Sequence, residues 1–216
     1  MPLPVLVIGN KNYSSWSMRP WLALRTAGIP FEERPVSLYR PEGKAEILRV
    51  SPTGKVPVLI EGEAMTFESL AICERAAEIA PAAGLWPADP AARSHARSIS
   101  CEMHAGFVAL RTLLPCNLRA RGRRELTADA AADLARVTTI WCETRERYGR
   151  GGDFLFGRFG IADAMFAPVV TRLRSWGIPF DPSARAYAEA VLDSPPFREW
   201  EAAALAEAER VAAYEP

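Results

Sequence analysis

The sequence has few of the residues that build disulfides and metal sites. Only four Cys and two His occur among 216 residues, and no Cys-x-x-Cys pair is present. Disulfides are rare in cytosolic proteins, so we expect the cysteines to be reduced and mostly buried. His95 and His104 lie nine positions apart, which is not a metal-ligand pattern. We therefore expect no metal site.

Long apolar runs and an excess of one charge are also absent. No stretch approaches the ~20 apolar residues that span a bilayer. The N-terminus, Met-Pro-Leu-Pro-Val, lacks the basic segment of a signal peptide. Lys plus Arg and Asp plus Glu balance at 26 each, which gives no indication of nucleic-acid binding. These features predict a cytoplasmic protein that binds neither a membrane nor a nucleic acid.

The stretch with the most side chains that could bind a ligand or take part in catalysis runs from Asn10 to Pro20 and contains three serines. It lies between a predicted strand, Val5 to Ile8, and a predicted helix that continues to Ala27. The first N–H groups of a helix have no internal partner and carry partial positive charge, so this junction can bind an anion. A serine there can equally serve only as the N-cap. Pro20 fits best if it falls near the first helical turn.

The order of predicted elements divides the chain into an α/β part and an all-α part. Residues 1–80 give a βαβαββα pattern, and residues 81–90, with three prolines and a glycine, predict a linker. Residues 91–216 predict only helices. They cover residues 93–114, 127–148 and 160–176, and two more begin at Asp181-Pro182 and Ser194-Pro195 as N-cap and first helical residue.

Four motifs in order resemble the cytosolic glutathione transferases over the whole chain. The stretch from Ser14 to Arg19 is similar to the Ser-Ser-Cys-x-x-Arg start of the zeta class, and bacterial members near that class begin Asn-x-Asn-Tyr-Ser-Ser-Trp-Ser. The other three motifs are Thr53 to Leu59, Glu68-Ser69, and Gly160 to Pro168. The resemblance implies a thioredoxin-like first domain, a helical second domain, glutathione as co-substrate and a homodimer.

The resemblance implies that a serine activates the glutathione thiol. A free thiol has a pKa near ~8.5, and a helix start with a directed hydroxyl can lower it. Ser14 is the first choice, since it precedes Arg19 by the zeta-like spacing, and Ser15 is the second, through its hydroxyl or its N–H. The resemblance also places Trp16 among the residues that would bind glutathione. It replaces the zeta-class Cys, which argues against zeta-type isomerase activity and against thiol transfer.

The resemblance also implies the other walls of the glutathione site. Val56 would offer its backbone to the cysteinyl part, which requires a cis bond to Pro57. Glu68 would pair with the γ-glutamyl ammonium, and Ser69 would hold the neighbouring carboxylate. The glycine carboxylate would bind Lys55 and either Arg40 or Lys44, unless these side chains are only solvated at the surface.

Several residues support the site less directly. Arg19 would act through a charge near the sulfur or an inter-domain ion pair, unless it is a solvated helix charge. Asp163 would accept N–H groups from the preceding loop and serve folding. The basic turn Arg119–Arg124 is expected to be solvated. The second substrate would lie between residues 13–16 and a helix that carries Met103, His104, Phe107 and Arg111.

The sequence thus predicts a glutathione transferase that acts on small hydrophobic electrophiles. Two alternatives stay open. One is a zeta-like maleylacetoacetate isomerase, and the other is a non-catalytic binding or stress protein with the same fold, because a fold does not guarantee an activity.

Overall fold

The computed structural model describes residues 2–215, apart from the side chain of Pro41. The chain begins with a four-stranded sheet in the order β2-β1-β3-β4. The strands are β1 (Val5–Ile8), β2 (Glu32–Pro35), β3 (Val58–Glu61) and β4 (Ala64–Phe67), and three helices accompany them, α1 (Ser15–Thr26), α2 (Pro41–Leu48) and α3 (Ser69–Ile79). β2 is parallel to β1, whereas β3 is antiparallel to β1 and β4. The predicted βαβαββα order is confirmed.

The rest of the described chain is helical. After a 3₁₀ turn at Pro81–Ala83 come α4 (Pro90–Ala105), α5 (Val108–Leu113), α6 (Ala128–Tyr148), α7 (Ile161–Ser175), α8 (Arg185–Asp193) and α9 (Pro195–Ala206), and a last 3₁₀ turn covers Ala212–Tyr214. None of the helices within residues 2–215 is both long and apolar enough to cross a membrane.

Helices α1 and α7 form the centre of the packing. Trp21 and Leu22 of α1 are fully buried, as are Met165 and Phe166 of α7. Their side chains belong to one apolar cluster that continues from the sheet into the helical part. Removing this surface from water is the main driving force for the arrangement. As a result the first residues of α1 are held where the two parts of the chain meet.

The predicted helix over 93–114 is wrong at its centre. It ends at Ala105, and a new helix, α5, begins after Phe107. Phe107 has φ of +58°, a left-handed conformation that interrupts a helix. Its side chain is buried, so packing of the ring outweighs the conformational cost.

One further helix start and the place of one proline differ from the predictions. The Asp181 carboxylate accepts the N–H of Ser183 at 2.9 Å in a turn, and α8 starts only at Arg185. Pro20 is the sixth residue of α1 and so lies beyond the first turn. Because proline has no N–H, the carbonyl of Trp16 lacks its usual intrahelical donor.

Candidate active site

Ser14 is the N-cap of α1. Its hydroxyl accepts the N–H of Ser17 at 3.3 Å and donates to Ser17 Oγ at 2.8 Å. Ser17 Oγ in turn accepts the N–H of Gly9 at 3.0 Å, which ties the helix start to the end of β1. The first turn of α1 holds no acidic residue, so the positive end of its dipole is not neutralised.

Ser15, the first residue of α1, faces a different partner. Its buried hydroxyl oxygen accepts a hydrogen bond from Arg172 Nη2 at 3.1 Å. Within residues 2–215 the hydroxyl proton of Ser15 has no acceptor, whereas that of Ser14 is used by Ser17. The two serines therefore differ in how freely they can donate to a ligand.

Six of the predicted glutathione-binding residues share one cavity of about 400 Å³. We name it the Glu68 cavity, and it is lined by Trp16, Thr53, Lys55, Val56, Pro57, Glu68, Ser69 and His104. The predicted cis bond between Val56 and Pro57 is present. Ser14 and Ser15 do not line this cavity but line the next one, on the other side of Trp16.

The start of α3 supplies the polar end of the Glu68 cavity. Glu68 has φ of +71°, a left-handed conformation, and its carboxylate lies 3.6 Å from His104 Nε2. Ser69 is buried, and its hydroxyl has no hydrogen-bond partner within residues 2–215. A carboxylate, an unpaired hydroxyl and the free N–H groups of a helix start are thus close together.

The second cavity has a volume of about 550 Å³ and is the larger of the two. We name it the Arg172 cavity. Its lining residues come from five parts of the chain: Tyr13, Ser14, Ser15 and Trp16 around the start of α1; Leu38, Tyr39, Lys44 and Ile47; Gly54, Lys55 and Val56; Arg111, Thr112, Pro115 and Cys116; and Arg172 with Tyr214. It contains both serines and opens between the two parts of the fold.

Some of the residues predicted for the second-substrate pocket line the Arg172 cavity, and others do not. The loop at residues 13–16 and Arg111 do line the Arg172 cavity. Met103 is fully buried and Phe107 nearly so, and neither lines it, while His104 faces the Glu68 cavity. The break after Ala105 turns these side chains away from Arg111.

Trp16 lies between the two cavities and lines both, as do Lys55 and Val56. The guanidinium of Arg19 lies 4.1 Å from its ring and that of Arg111 lies 5.3 Å away. The His104 ring meets it edge-on at 5.1 Å. These cation–π and edge contacts fix the indole in place.

Arg19 is buried, so the solvated reading of this residue is wrong. Its Nε donates to the carbonyl of Met165 in α7 at 3.1 Å, and its buried Nη1 has no partner among residues 2–215. The inter-domain contact is therefore a hydrogen bond to a carbonyl and not an ion pair. Burial, followed by the charge of Arg172, lowers the pKa of Arg19 to about 9.

Arg172 is the main functional candidate that the sequence prediction missed. It is 7 % exposed, and Nη1 donates to the carbonyl of Arg111 at 3.1 Å and to that of Leu114. Burial lowers its pKa. The sequence carries only a weak indication of its role. Arg172 is a charged residue within an apolar helix, and burying a charge there is costly unless the charge has a partner.

The end of the chain closes one side of the Arg172 cavity, which the sequence also did not indicate. Tyr214 lies against Tyr13 and Tyr39, with ring centroids 6.0 Å and 5.6 Å apart. The Tyr13 hydroxyl accepts the N–H of Val211 at 3.0 Å. Arg119 donates to the carbonyl of Glu209 at 2.7 Å, so the expectation that the basic turn is solvated is wrong for this residue.

The cations proposed for the glycine carboxylate occupy different places. Lys44 Nζ donates to the carbonyl of Gly54 at 3.0 Å and lines the Arg172 cavity. Lys55 lines both cavities. Arg40 lines neither, and its exposed side chain is 3.9 Å from Glu209.

Asp163 anchors the helix that carries Arg172. Its carboxylate accepts the N–H of Leu155 at 3.0 Å and that of Gly160 at 2.8 Å, as predicted for a residue that serves folding. It is almost completely buried, and this burial raises its pKa to about 6. The start of α7, and through it the position of Arg172, depends on this residue.

Comparisons with known proteins agree with this geometry. A family model described as the glutathione S-transferase N-terminal domain matches residues 13–79. A glutathione transferase homologue from Burkholderia, solved with bound glutathione, is 25% identical and has a TM-score of 0.70. The match covers 95% of this chain and 100% of the Burkholderia chain. The chain has the glutathione transferase fold, and residues 13–79 belong to the N-terminal domain family.

Curated relatives of this glutathione-transferase-like chain match over a shorter stretch. A probable maleylacetoacetate isomerase from Caenorhabditis elegans is 37% identical over 111 residues, 51% of this chain and 50% of that protein. A maleylacetoacetate isomerase from Rhizobium meliloti is 43% identical over 89 residues, 40% of this chain and 41% of that protein. The matched stretches thus span about half the length of these relatives, or less.

Proposed function

We propose that the protein is a glutathione transferase, which binds glutathione in the Glu68 cavity and a second, electrophilic substrate in the Arg172 cavity. The observation that carries the proposal is the meeting of Val56, cis-Pro57, Glu68 and Ser69 in one cavity, next to the cavity lined by the serines at the start of α1. The Burkholderia homologue of the same fold, solved with glutathione, supports it.

Each part of glutathione has a chemically suitable partner. Glu68 would pair with the γ-glutamyl ammonium, and the unpaired hydroxyl of Ser69 with the adjacent carboxylate. The backbone of Val56 would hold the cysteinyl part as an added strand does. Lys55 would reach the glycine carboxylate, and Trp16 would cover the sulfur end.

We propose Ser15 as the donor to the thiolate and keep Ser14 as the second choice. The Ser14 proton is used by Ser17, while the Ser15 proton is free and its oxygen is polarised by Arg172. A hydroxyl donor, the α1 N-terminus and a nearby guanidinium all favour the ionised sulfur. The thiolate then attacks the electrophilic carbon, the C–S bond forms, and the leaving group departs with its electron pair.

The test compares Ser15→Ala, Ser14→Ala and Ser15→Thr with a Ser98→Ala control on the exposed face of α4. Removing one directed donor of this kind costs about 10²-fold or more in turnover. We expect that loss in Ser15→Ala, recovery in Ser15→Thr, and a smaller loss in Ser14→Ala accompanied by a lower melting temperature, because an N-cap is lost. The measurement is kcat/KM for conjugation of a chlorodinitrobenzene-type electrophile.

Two outcomes would contradict this proposal at different levels. A larger activity loss in Ser14→Ala than in Ser15→Ala, at equal stability, would reverse the assignment of the serines. No calorimetric binding of glutathione at millimolar concentration would overturn the transferase proposal and favour a non-catalytic role.

A second candidate is a maleylacetoacetate isomerase, which the names of the curated relatives favour. Trp16, in place of the zeta-class Cys, argues against it. A direct assay of glutathione-dependent cis–trans isomerisation separates the two functions, since isomerisation requires no leaving group.

We also propose that the protein is a homodimer in the cytoplasm, and light scattering should give twice the mass of the chain.

A further inference from the structure

The turn between β1 and α1 sets where the helix start lies. Within it the carbonyl of Asn10 accepts the N–H of Tyr13 at 3.1 Å and that of Ser14 at 2.8 Å. Ser14 and Ser15 follow this turn directly, as N-cap and first residue of α1. The place of both serines therefore depends on the contacts that hold residues 10–13.

Asn12 lies in the middle of this turn, and its side chain is fully buried. Its Nδ2 donates to Asn117 Oδ1 at 2.9 Å, and its Oδ1 accepts the N–H of Arg119 at 3.0 Å. Its backbone carbonyl accepts the N–H of Leu118 at 3.3 Å. Both the side chain and the backbone of Asn12 thus bind the turn at residues 117–119, which follows α5.

Asn117, equally buried, is the other half of this amide pair. Its Oδ1 also accepts the N–H groups of Arg119 and Ala120, each at 3.1 Å. Its Nδ2 donates to the carbonyl of Tyr214 at 2.9 Å and to the Glu215 carboxylate at 3.2 Å. Because a backbone N–H can only donate and a carbonyl can only accept, these contacts fix the orientation of both amides.

The pair joins three segments of the chain without lining either cavity. A buried polar network whose members all have partners stabilises one arrangement of the segments that it joins. Such precision matters at a reacting centre, since displacing a catalytic group by about 1 Å can cost about 10²-fold in rate. Asn12 precedes Ser15 by three residues, so a shift of the turn would move that hydroxyl.

We infer that Asn12 is a positioning residue for the thiol transfer. Its hydrogen bond to Asn117 fixes the turn before α1, and so fixes the point from which Ser15 and the helix start act on the glutathione sulfur. The inference rests on the proposed function and deepens it, because Asn12 acts through Ser15 and does not touch the substrates.

The test compares two substitutions that keep the size of the side chain. Asn12→Asp replaces the donor Nδ2 by an oxygen that faces Asn117 Oδ1, so the hydrogen bond becomes a repulsion. Asn117→Asp keeps the acceptor that Asn12 uses and loses only the donation to Tyr214 and Glu215. Both add one negative charge at side chains in direct contact, so a difference between them is not an effect of net charge.

Two measurements report on the sulfur. The pKa of the bound glutathione thiol is followed by the ultraviolet absorbance of the thiolate against pH, and kcat is measured with a chlorodinitrobenzene-type electrophile at saturating glutathione. Asn12→Asp should raise the thiol pKa toward the ~8.5 of a free thiol and lower kcat at neutral pH by about 10-fold or more. Asn117→Asp should keep both close to the wild-type values.

A control separates positioning from stability. Thr144, a buried residue of α6, bonds to His95 Nε2 at 2.9 Å, far along the chain from the turn. Thr144→Val should lower the melting temperature through the loss of this bond, with thiol pKa and kcat unchanged. If Asn12→Asp fails to fold, Asn117→Ala, which removes the acceptor of the pair, is compared with Asn117→Asp at the same position.

The outcomes distinguish this inference from the proposed function. Equal thiol pKa and equal kcat in Asn12→Asp and Asn117→Asp would overturn the inference alone. So would a lower melting temperature of Asn12→Asp without a change in thiol pKa, since Asn12 would then serve only folding. A wild-type protein that does not bind glutathione would instead overturn the proposed function itself.

Discussion

The Glu68 cavity and the Arg172 cavity share Trp16 as a wall, but the chain builds them in different ways. Apart from Trp16 and His104, the Glu68 cavity is formed by two short segments, residues 53–57 and Glu68-Ser69. The Arg172 cavity combines residues from α1, α2, α5, α7 and the end of the chain. One site follows from local motifs, and the other exists only when distant elements pack together.

The two cavities also differ in charge. The Glu68 cavity contains a carboxylate, a lysine and an unpaired serine hydroxyl, which suits a zwitterionic ligand. The Arg172 cavity contains four cations and no acid. The linings of the two cavities therefore suit different ligands, and the following experiments test this division.

The largest effect is expected for Asp163→Ala, because the N–H groups of Leu155 and Gly160 lose their acceptor. Each N–H group left unpaired costs about 1–3 kcal/mol, so the free energy of unfolding should fall by about 2–6 kcal/mol. Because α7 carries Arg172, ligand binding in the Arg172 cavity should weaken more than glutathione binding. Urea unfolding measures the loss of stability, and calorimetry measures the two ligand affinities.

Asp153→Ala, in the exposed loop before α7, is the control and should change stability little.

The pH dependence of stability gives a second test of Asp163. Burial raises the pKa of Asp163 to about 6 in the folded protein, above the ordinary value of 3.8. Between these values the folded state binds more protons, so this residue's contribution to stability should decrease as pH rises from about 4 to 6. A wild-type slope equal to that of Asp163→Asn would contradict this.

A smaller and more local effect is expected for Ser69→Ala. Its hydroxyl has no partner within residues 2–215, so its removal should leave the melting temperature unchanged. Glutathione affinity should fall about 10-fold, the loss of one charge-assisted hydrogen bond, while the KM of the electrophile stays the same. Unchanged glutathione affinity would show that Ser69 is only part of the helix start.

The smallest effect is expected for Tyr13→Phe, which acts only on the Arg172 cavity. The hydroxyl accepts the N–H of Val211 and bonds to Arg119 and Glu215, so its loss should cost about 1 kcal/mol. Proteolysis of residues 207–215, followed by mass spectrometry, should be faster, with glutathione affinity unchanged. Tyr148→Phe is the control, and equal cleavage rates in both variants would show that Tyr13 does not hold the chain end.

The sequence determined the elements whose signals are local. The βαβαββα order, the cis bond before Pro57, the helix start at Ser69 and the hydrogen bonds of Asp163 to the preceding loop all follow from short patterns or from a resemblance carried by short motifs. Such features depend on neighbouring residues, and these are fixed by the chain itself.

Tertiary structure alone decided how distant residues meet. Ser15 and Arg172 are 157 positions apart, and Tyr13 and Val211 are 198 apart, so no local pattern connects them. The bend at Phe107, which points Arg111 and His104 into different cavities, results from burial of a side chain against other helices. The walls of the Glu68 cavity could therefore be predicted from sequence, whereas the lining of the Arg172 cavity emerged only from the packing of α1 against α7.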